Sequence, residues 1–232
     1  SFLLFIEERL KLIIPIKSKI ITITAKTIPT MVDNTFLRKD FISYFLGLVK
    51  ISNFQEAFSS FLLYLMTVIK NMNIVFLQLG SNLDNREMLL QDAIVAIEER
   101  VGLVLERSKV YESTAWRVEG QENYLNQILK VETKLQAHDV LFIILDVEKN
   151  LGRVRIEKWG ERLIDIDIIF FNNEIIETAQ LCVPHKHMHE RMFVLTPLHN
   201  LAPDMAHPKY NKTVEELLKE CTDTQLVKEY AL

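Results

Sequence analysis

Leu163-Ile-Asp-Ile-Asp-Ile-Ile-Phe-Phe171 is the stretch on which the architecture turns. Side chains along a strand alternate between its two faces, so Asp165 and Asp167 share one face while Ile164, Ile166 and Ile168 pack on the other. Two carboxylates a few ångströms apart repel unless a cation lies between them. Hard oxygen donors in that number suit magnesium, which takes one or two carboxylates and completes its shell with water and substrate phosphate. The plainer alternative is a pair of solvated aspartates on the exposed face of an edge strand. Asp is disfavoured in strands, so a pair inside an apolar run needs a reason, and a cation supplies one.

The segments before this strand have consistent local signals. Asn73-Ile-Val-Phe-Leu-Gln-Leu79 reads as a strand, followed by the turn cluster Gly80-Ser-Asn82. Asp84 and Glu87 then form a capping-box pattern that opens a helix. Leu90, Ala93, Ile94, Ile97 and Val101 give that helix one apolar face, and Gly102 ends it. Residues 103–114 alternate as a strand, 115–123 form a polar loop, and 124–135 alternate again. A second helix over 137–151 stops at Gly152. The order strand, helix, strand, strand, helix, strand predicts an α+β fold with a ferredoxin-like βαββαβ core, a mainly antiparallel sheet flanked by helices. Two further helices are expected in the tail, over 188–198 and 214–221.

Composition is that of a globular protein: 49% of the 232 residues are apolar and 25% charged. A formal net charge of -4 argues against a nucleic-acid coat or a polybasic membrane anchor, so any phosphate site must be local. Cys182 and Cys221 lack metal-ligand spacing and read as two free thiols, implying a reducing, cytoplasmic setting. The run 61–69 is too short to span a bilayer, and the first residues lack the pattern of a signal peptide. Residues 1–71 form a poorly defined extension without sustained periodicity. Met72 stands directly before the first clean strand, so the expected functional domain is 72–232 and the preceding residues read as upstream-translated sequence. The alternative is a genuine divergent extension with a helix over 54–69.

Arg153, Arg155, Lys158 and Arg162 place four cations in a loop bracketed by Gly152 and Gly160. Arginine's planar fork binds phosphate oxygens bidentately, so such a loop could close over a polyphosphate. It could equally be a solvated loop whose cations pair with Glu157 and Glu161. Basic loop and acidic strand together are what phosphoryl transfer needs: a metal on the phosphates and cations that absorb developing charge.

The run Lys158-Trp-Gly-Glu-Arg-Leu-Ile-Asp-Ile-Asp-Ile-Ile169 resembles the signature of the 6-hydroxymethyl-7,8-dihydropterin pyrophosphokinases. Further matches fall in the same order: Gly80-Ser-Asn82, Tyr124-Leu-Asn126, Gly152-Arg-Val-Arg155, and Val183-Pro-His185 followed by Arg191 and Phe193. The resemblance covers 72 to the C-terminus. It implies an enzyme of folate biosynthesis that moves pyrophosphate from ATP to the pterin alcohol. Two magnesium ions would be held by Asp165 and Asp167. Arg153, Arg155, Arg162, His185 and Arg191 would contact the triphosphate, with Trp159 and Glu148 shaping the nucleotide site. Asn126 would hydrogen-bond the pterin edge, Tyr124 and Phe193 would sandwich its ring, and Thr114 with the backbone after it would complete the pocket. The resemblance further implies small-molecule substrates and a monomer. Glu161, Gln180, Cys182 and Lys186 depart from the usual pattern at positions around the nucleotide.

Taken singly, several of these residues have plainer readings. Tyr124 and Phe193 are ordinary core or rim residues, His185 caps a turn after Pro184, and Glu148 is a solvated helix residue. His187, His189 and His199 invite a zinc reading but have no cysteine or carboxylate at matching spacing. Two rivals from other classes are a nucleotide-sensing module that forms no AMP and a metal-dependent nuclease, against which the net negative charge weighs.

Overall fold

The computed structural model describes residues 12–16, 19–23, 72–115, 120, 122–152 and 163–231. The chain divides into two units, Ser1–Lys70 and Asn71–Leu232. In the first, β1 (Leu12–Ile16) and β2 (Lys19–Ile23) pair antiparallel, with Leu12 opposite Ile23. The helix expected over 54–69 lies outside the described residues.

The second unit is built on β3 (Asn73–Ser81), α1 (Arg86–Arg100), β4 (Leu103–Arg107), β5 (Tyr111–Ser113), β6 (Tyr124–Thr133), α2 (Ala137–Asn150) and β7 (Asp165–Phe171). Its sheet runs β12-β5-β6-β3-β7, with β4 also on β6 and β12 (Val227–Glu229) supplied by the tail; outside it β8 (Ile176–Glu177) pairs with β9 (Cys182–Val183), and β10 (Ala206–His207) with β11 (Lys212–Thr213). Every pairing in it is antiparallel. The chain places β6 beside β3, and each helix crosses over a strand, which is the ferredoxin-like arrangement expected.

Three local readings are corrected. The side chain of Asn85, not Asp84, caps α1, accepting from the Met88 amide at 3.1 Å, while Asp84 takes a left-handed φ of 54°. The strand expected over 103–114 is two strands, because Ser108 interrupts it. The Ser108 amide donates to the Ile128 carbonyl, and its Oγ accepts from the Ile128 amide, pinning an irregular segment against β6. The helix expected over 188–198 is a 3-10 turn, Met188–Glu190, then α3 (Met192–Leu201), separated by Arg191 in extended conformation. The last helix, α4 (Val214–Glu220), opens on a capping box between Thr213 and Glu216.

Period-two alternation splits the buried residues into two cores. Val75, Leu77 and Leu79 of β3, Leu125, Leu129 and Val131 of β6, and Ile164, Ile166 and Ile168 meet the apolar faces of α1 and α2. On the opposite face Phe76, Ile128, Ile169 and Phe170 meet Val194, Leu195 and Leu198 of α3 and Val214 and Leu217 of α4. Each such aliphatic side chain, fully buried, contributes about 1.5–3 kcal/mol of transfer free energy. Gly102 is required where α1 turns into β4, since a Cβ there would stand 2.1 Å from the Glu132 carbonyl oxygen.

Candidate active site

The second face of the sheet is apolar only where α3 and α4 cover it. Toward the C-terminal end of β3 it becomes polar. Gly80 pairs with Asn126 on one side and Asp165 on the other, and Gln78 pairs with Ile128 and Asp167. Tyr124, Asn126, Gly80, Gln78, Asp165 and Asp167 therefore share one face, with the carboxylates at the β7 edge and the amide and phenol on β6. Both aspartates are half-buried. Gly80 leaves the centre open: a Cβ there would lie 3.7 Å from Asn126 Oδ1 and 4.0 Å from Tyr124 Cδ1.

Asn126 is only 2% exposed and its amide is held on both sides. Its Nδ2 donates to Ser113 Oγ at 2.9 Å, and its Oδ1 accepts from Gln78 Nε2 at 3.2 Å. Neither Ser113 nor Gln78 was expected from sequence. Gln78 could have been found, because it is the one polar residue between Asn73 and Gly80 and lies two positions before Gly80, on the same face. Thr114, by contrast, is exposed, and its carbonyl accepts from the Gln225 side chain.

Glu148 is not a solvated residue. It is 2% exposed, and its Oε1 accepts from the Ile166 amide at 2.7 Å, between the two aspartates of β7. His185 follows the cis Val183–Pro184 peptide, and its amide donates to the Ile169 carbonyl at 3.0 Å. The His187 amide donates to His185 Nδ1 at 3.3 Å, so the neutral ring carries its proton on Nε2. The His185 pKa is held down at about 4, chiefly by burial and then by the charges of Arg191 and His187, with Asp165 opposing them. Arg191 is buried, with its guanidinium carbon 5.6 Å from the centroid of the half-buried Phe193 ring, at the start of α3. Arg153, Arg155, Trp159 and Arg162 lie outside the described residues.

The donor chemistry fits a hard cation: two carboxylates at alternate positions of one strand, beside a glycine that leaves space for a ligand. Among the described residues, no group of three or more His, Cys, Asp or Glu side chains converges as a metal cage, His187, His189 and His199 included. Magnesium needs no such cage when substrate phosphate and water complete its shell.

The family model described as 7,8-dihydro-6-hydroxymethylpterin-pyrophosphokinase (HPPK) matches residues 76–203, from inside β3 to just beyond α3. The chain belongs to the HPPK family. A 2-amino-4-hydroxy-6-hydroxymethyldihydropteridine pyrophosphokinase of Aquifex aeolicus is 43% identical over 149 residues, which are 64% of this chain and 92% of the relative. The Haemophilus influenzae protein of the same name is 35% identical, over 66% of this chain and 96% of the relative. Among solved structures, wild-type HPPK-DHPS of Plasmodium falciparum superposes with a TM-score of 0.54 at 16% identity, covering 64% of this chain. At that identity the likeness speaks for the HPPK fold alone, and this chain spans 42% of that longer one.

Proposed function

We propose that this chain transfers pyrophosphate from ATP to the hydroxymethyl group of 6-hydroxymethyl-7,8-dihydropterin, giving AMP and the pterin diphosphate. One observation carries the reading: a locked amide on β6 and two carboxylates on β7 face the same space across Gly80. An amide offers both donor and acceptor to a heterocycle's edge, and Tyr124 and Phe193 are aromatic residues suited to its faces.

In this reading Asp165 and Asp167 would hold two magnesium ions, which when bound would neutralise charge on the phosphates. The pterin oxygen attacks the β-phosphorus in line, the bond from that phosphorus to the α–β bridging oxygen breaks, and AMP departs with that oxygen. The alcohol proton passes to an aspartate carboxylate or to water. His185 is neutral at physiological pH and offers an Nε2–H to a phosphate oxygen without adding charge. Arg191 adds a fixed positive charge nearby, while Arg153, Arg155 and Arg162, with Trp159, are the residues the family resemblance assigns to the triphosphate. Positioning then supplies much of the barrier reduction. The reading includes a monomer acting on small molecules in the cytoplasm, the last supported by the two free thiols of Cys182 and Cys221. No helix among the described residues is long and apolar enough to cross a membrane.

The test is AMP release from ATP and magnesium, with and without the pterin, on the full chain and on a chain starting at Met72. Pterin-dependent AMP is expected from both. Asp167→Ala is expected to lower turnover by about a thousandfold while leaving the far-ultraviolet dichroism unchanged, on the magnitude of losing metal charge stabilisation. Wild-type turnover in that variant would remove the metal assignment.

A further inference from the structure

Gln78 sits at the centre of the polar face, 4% exposed, on the strand between Asn126 and the aspartates. The Leu79 carbonyl, which can only accept, sets its orientation. Nε2 faces two acceptors, Asn126 Oδ1 at 3.2 Å and the Leu79 carbonyl at 3.3 Å, so exchanging its nitrogen and oxygen would set oxygen against oxygen. That orientation leaves Gln78 Oε1 buried with no hydrogen-bond partner among the described residues. A buried acceptor without a partner costs stability, a cost set against the two hydrogen bonds that Nε2 makes. The arrangement has one evident effect. With Ser113 Oγ against Nδ2 and Gln78 Nε2 against Oδ1, the Asn126 amide can take only one of its two flips.

We propose that Gln78 is a positioning residue that fixes the flip of Asn126 and so sets which hydrogen-bonding pattern the pocket presents to the heterocycle's edge. This rests on the pterin pyrophosphokinase reading. Without Gln78, the amide keeps only the Ser113 hydroxyl, which donates or accepts and so supports either flip, and the long 3.4 Å contact from its Nδ2 to the Tyr124 carbonyl. The pocket then spends part of its time offering donor for acceptor, and the ring loses affinity while the phosphate side of the site is untouched.

The test is Gln78→Met, which keeps length and removes both polar atoms, measured beside the wild-type full chain. The expected result is a KM for 6-hydroxymethyl-7,8-dihydropterin raised about tenfold, the loss of one well-made hydrogen bond. The KM for ATP should stay unchanged and the far-ultraviolet dichroism should match that of the wild type. Ser113→Ala leaves Gln78 to fix the flip and should raise the pterin KM less than Gln78→Met does, and the Asn126 side-chain amide resonances should broaden in Gln78→Met but not in Ser113→Ala. An unchanged pterin KM in Gln78→Met, or equal rises in both KM values, overturns the proposal. Absence of pterin-dependent AMP from the wild-type chain overturns instead the reading on which it rests.

Discussion

Glu148 holds the strand that carries the aspartates. Its carboxylate satisfies the Ile166 amide, so Glu148→Ala leaves that N–H buried and unpaired, at an expected cost of about 1–3 kcal/mol. Glu148→Gln retains an acceptor oxygen and should recover most of the loss. Urea denaturation of the two variants checks this, and equal stabilities would show that the hydrogen bond is immaterial. The aspartate pair was legible in the sequence because strand alternation is local and exact in period. Glu148 was not, because its role depends on a strand 18 residues away. The available hint was its spacing: four after Ile144 and eight after Val140, it lies on the buried face of α2. Ser113 was missed for a similar reason, since only pairing with β6 brings it to Asn126.

At the scale of elements, the C-terminal tail ties two sides of the candidate site together. Asp223 accepts from the Met192 amide at 3.0 Å, at the start of α3 beside Arg191 and Phe193. Gln225 reaches the Thr114 carbonyl, β12 pairs with β5, and the Tyr230 hydroxyl donates to Glu87 at 2.6 Å. Deleting 223–232 should therefore cost at least about 3 kcal/mol, at about 1 kcal/mol for each of these three side-chain hydrogen bonds before the β12–β5 pairing is counted, and raise the pterin KM more than the ATP KM. Thermal denaturation and initial rates measure the two effects, and a truncated chain with wild-type values would deny the tail this role. The long elements were legible because each carries its own periodicity and stop signal. β12 was not, since Val227–Glu229 is too short to show a pattern and exists as a strand only by adding to an edge. The break at Arg191 was hidden because apolar residues continue on both sides of it.

For the whole molecule, acid stability should reflect His207, which is 3% exposed, stacked on Tyr210 at 4.5 Å and edge-on to Phe170 at 5.7 Å. Burial and the nearby His189 push its pKa down to about 4 from an ordinary 6.5. Between those values the unfolded chain binds the proton and the folded chain does not. Stability from this residue is thus complete above pH 6.5 and is lost as pH falls toward 4, by up to roughly 1.4 kcal/mol per pH unit. Urea midpoints measured across that window should fall with pH in wild type and fall less in His207→Phe. Equal slopes would assign acid sensitivity elsewhere.

The outer edge of β7 has a different bearing on the molecule's life in a crowded solution. An unpaired strand edge is a template on which another chain can add a strand. Here the Ile166 donor is taken by Glu148 and the Ile169 acceptor by the His185 amide, so an incoming peptide finds those ladder positions already used. The contacts that orient β7 thereby also guard the sheet against cross-β growth, and a folded domain can keep an edge strand beside its open substrate face without recruiting its own copies into fibres.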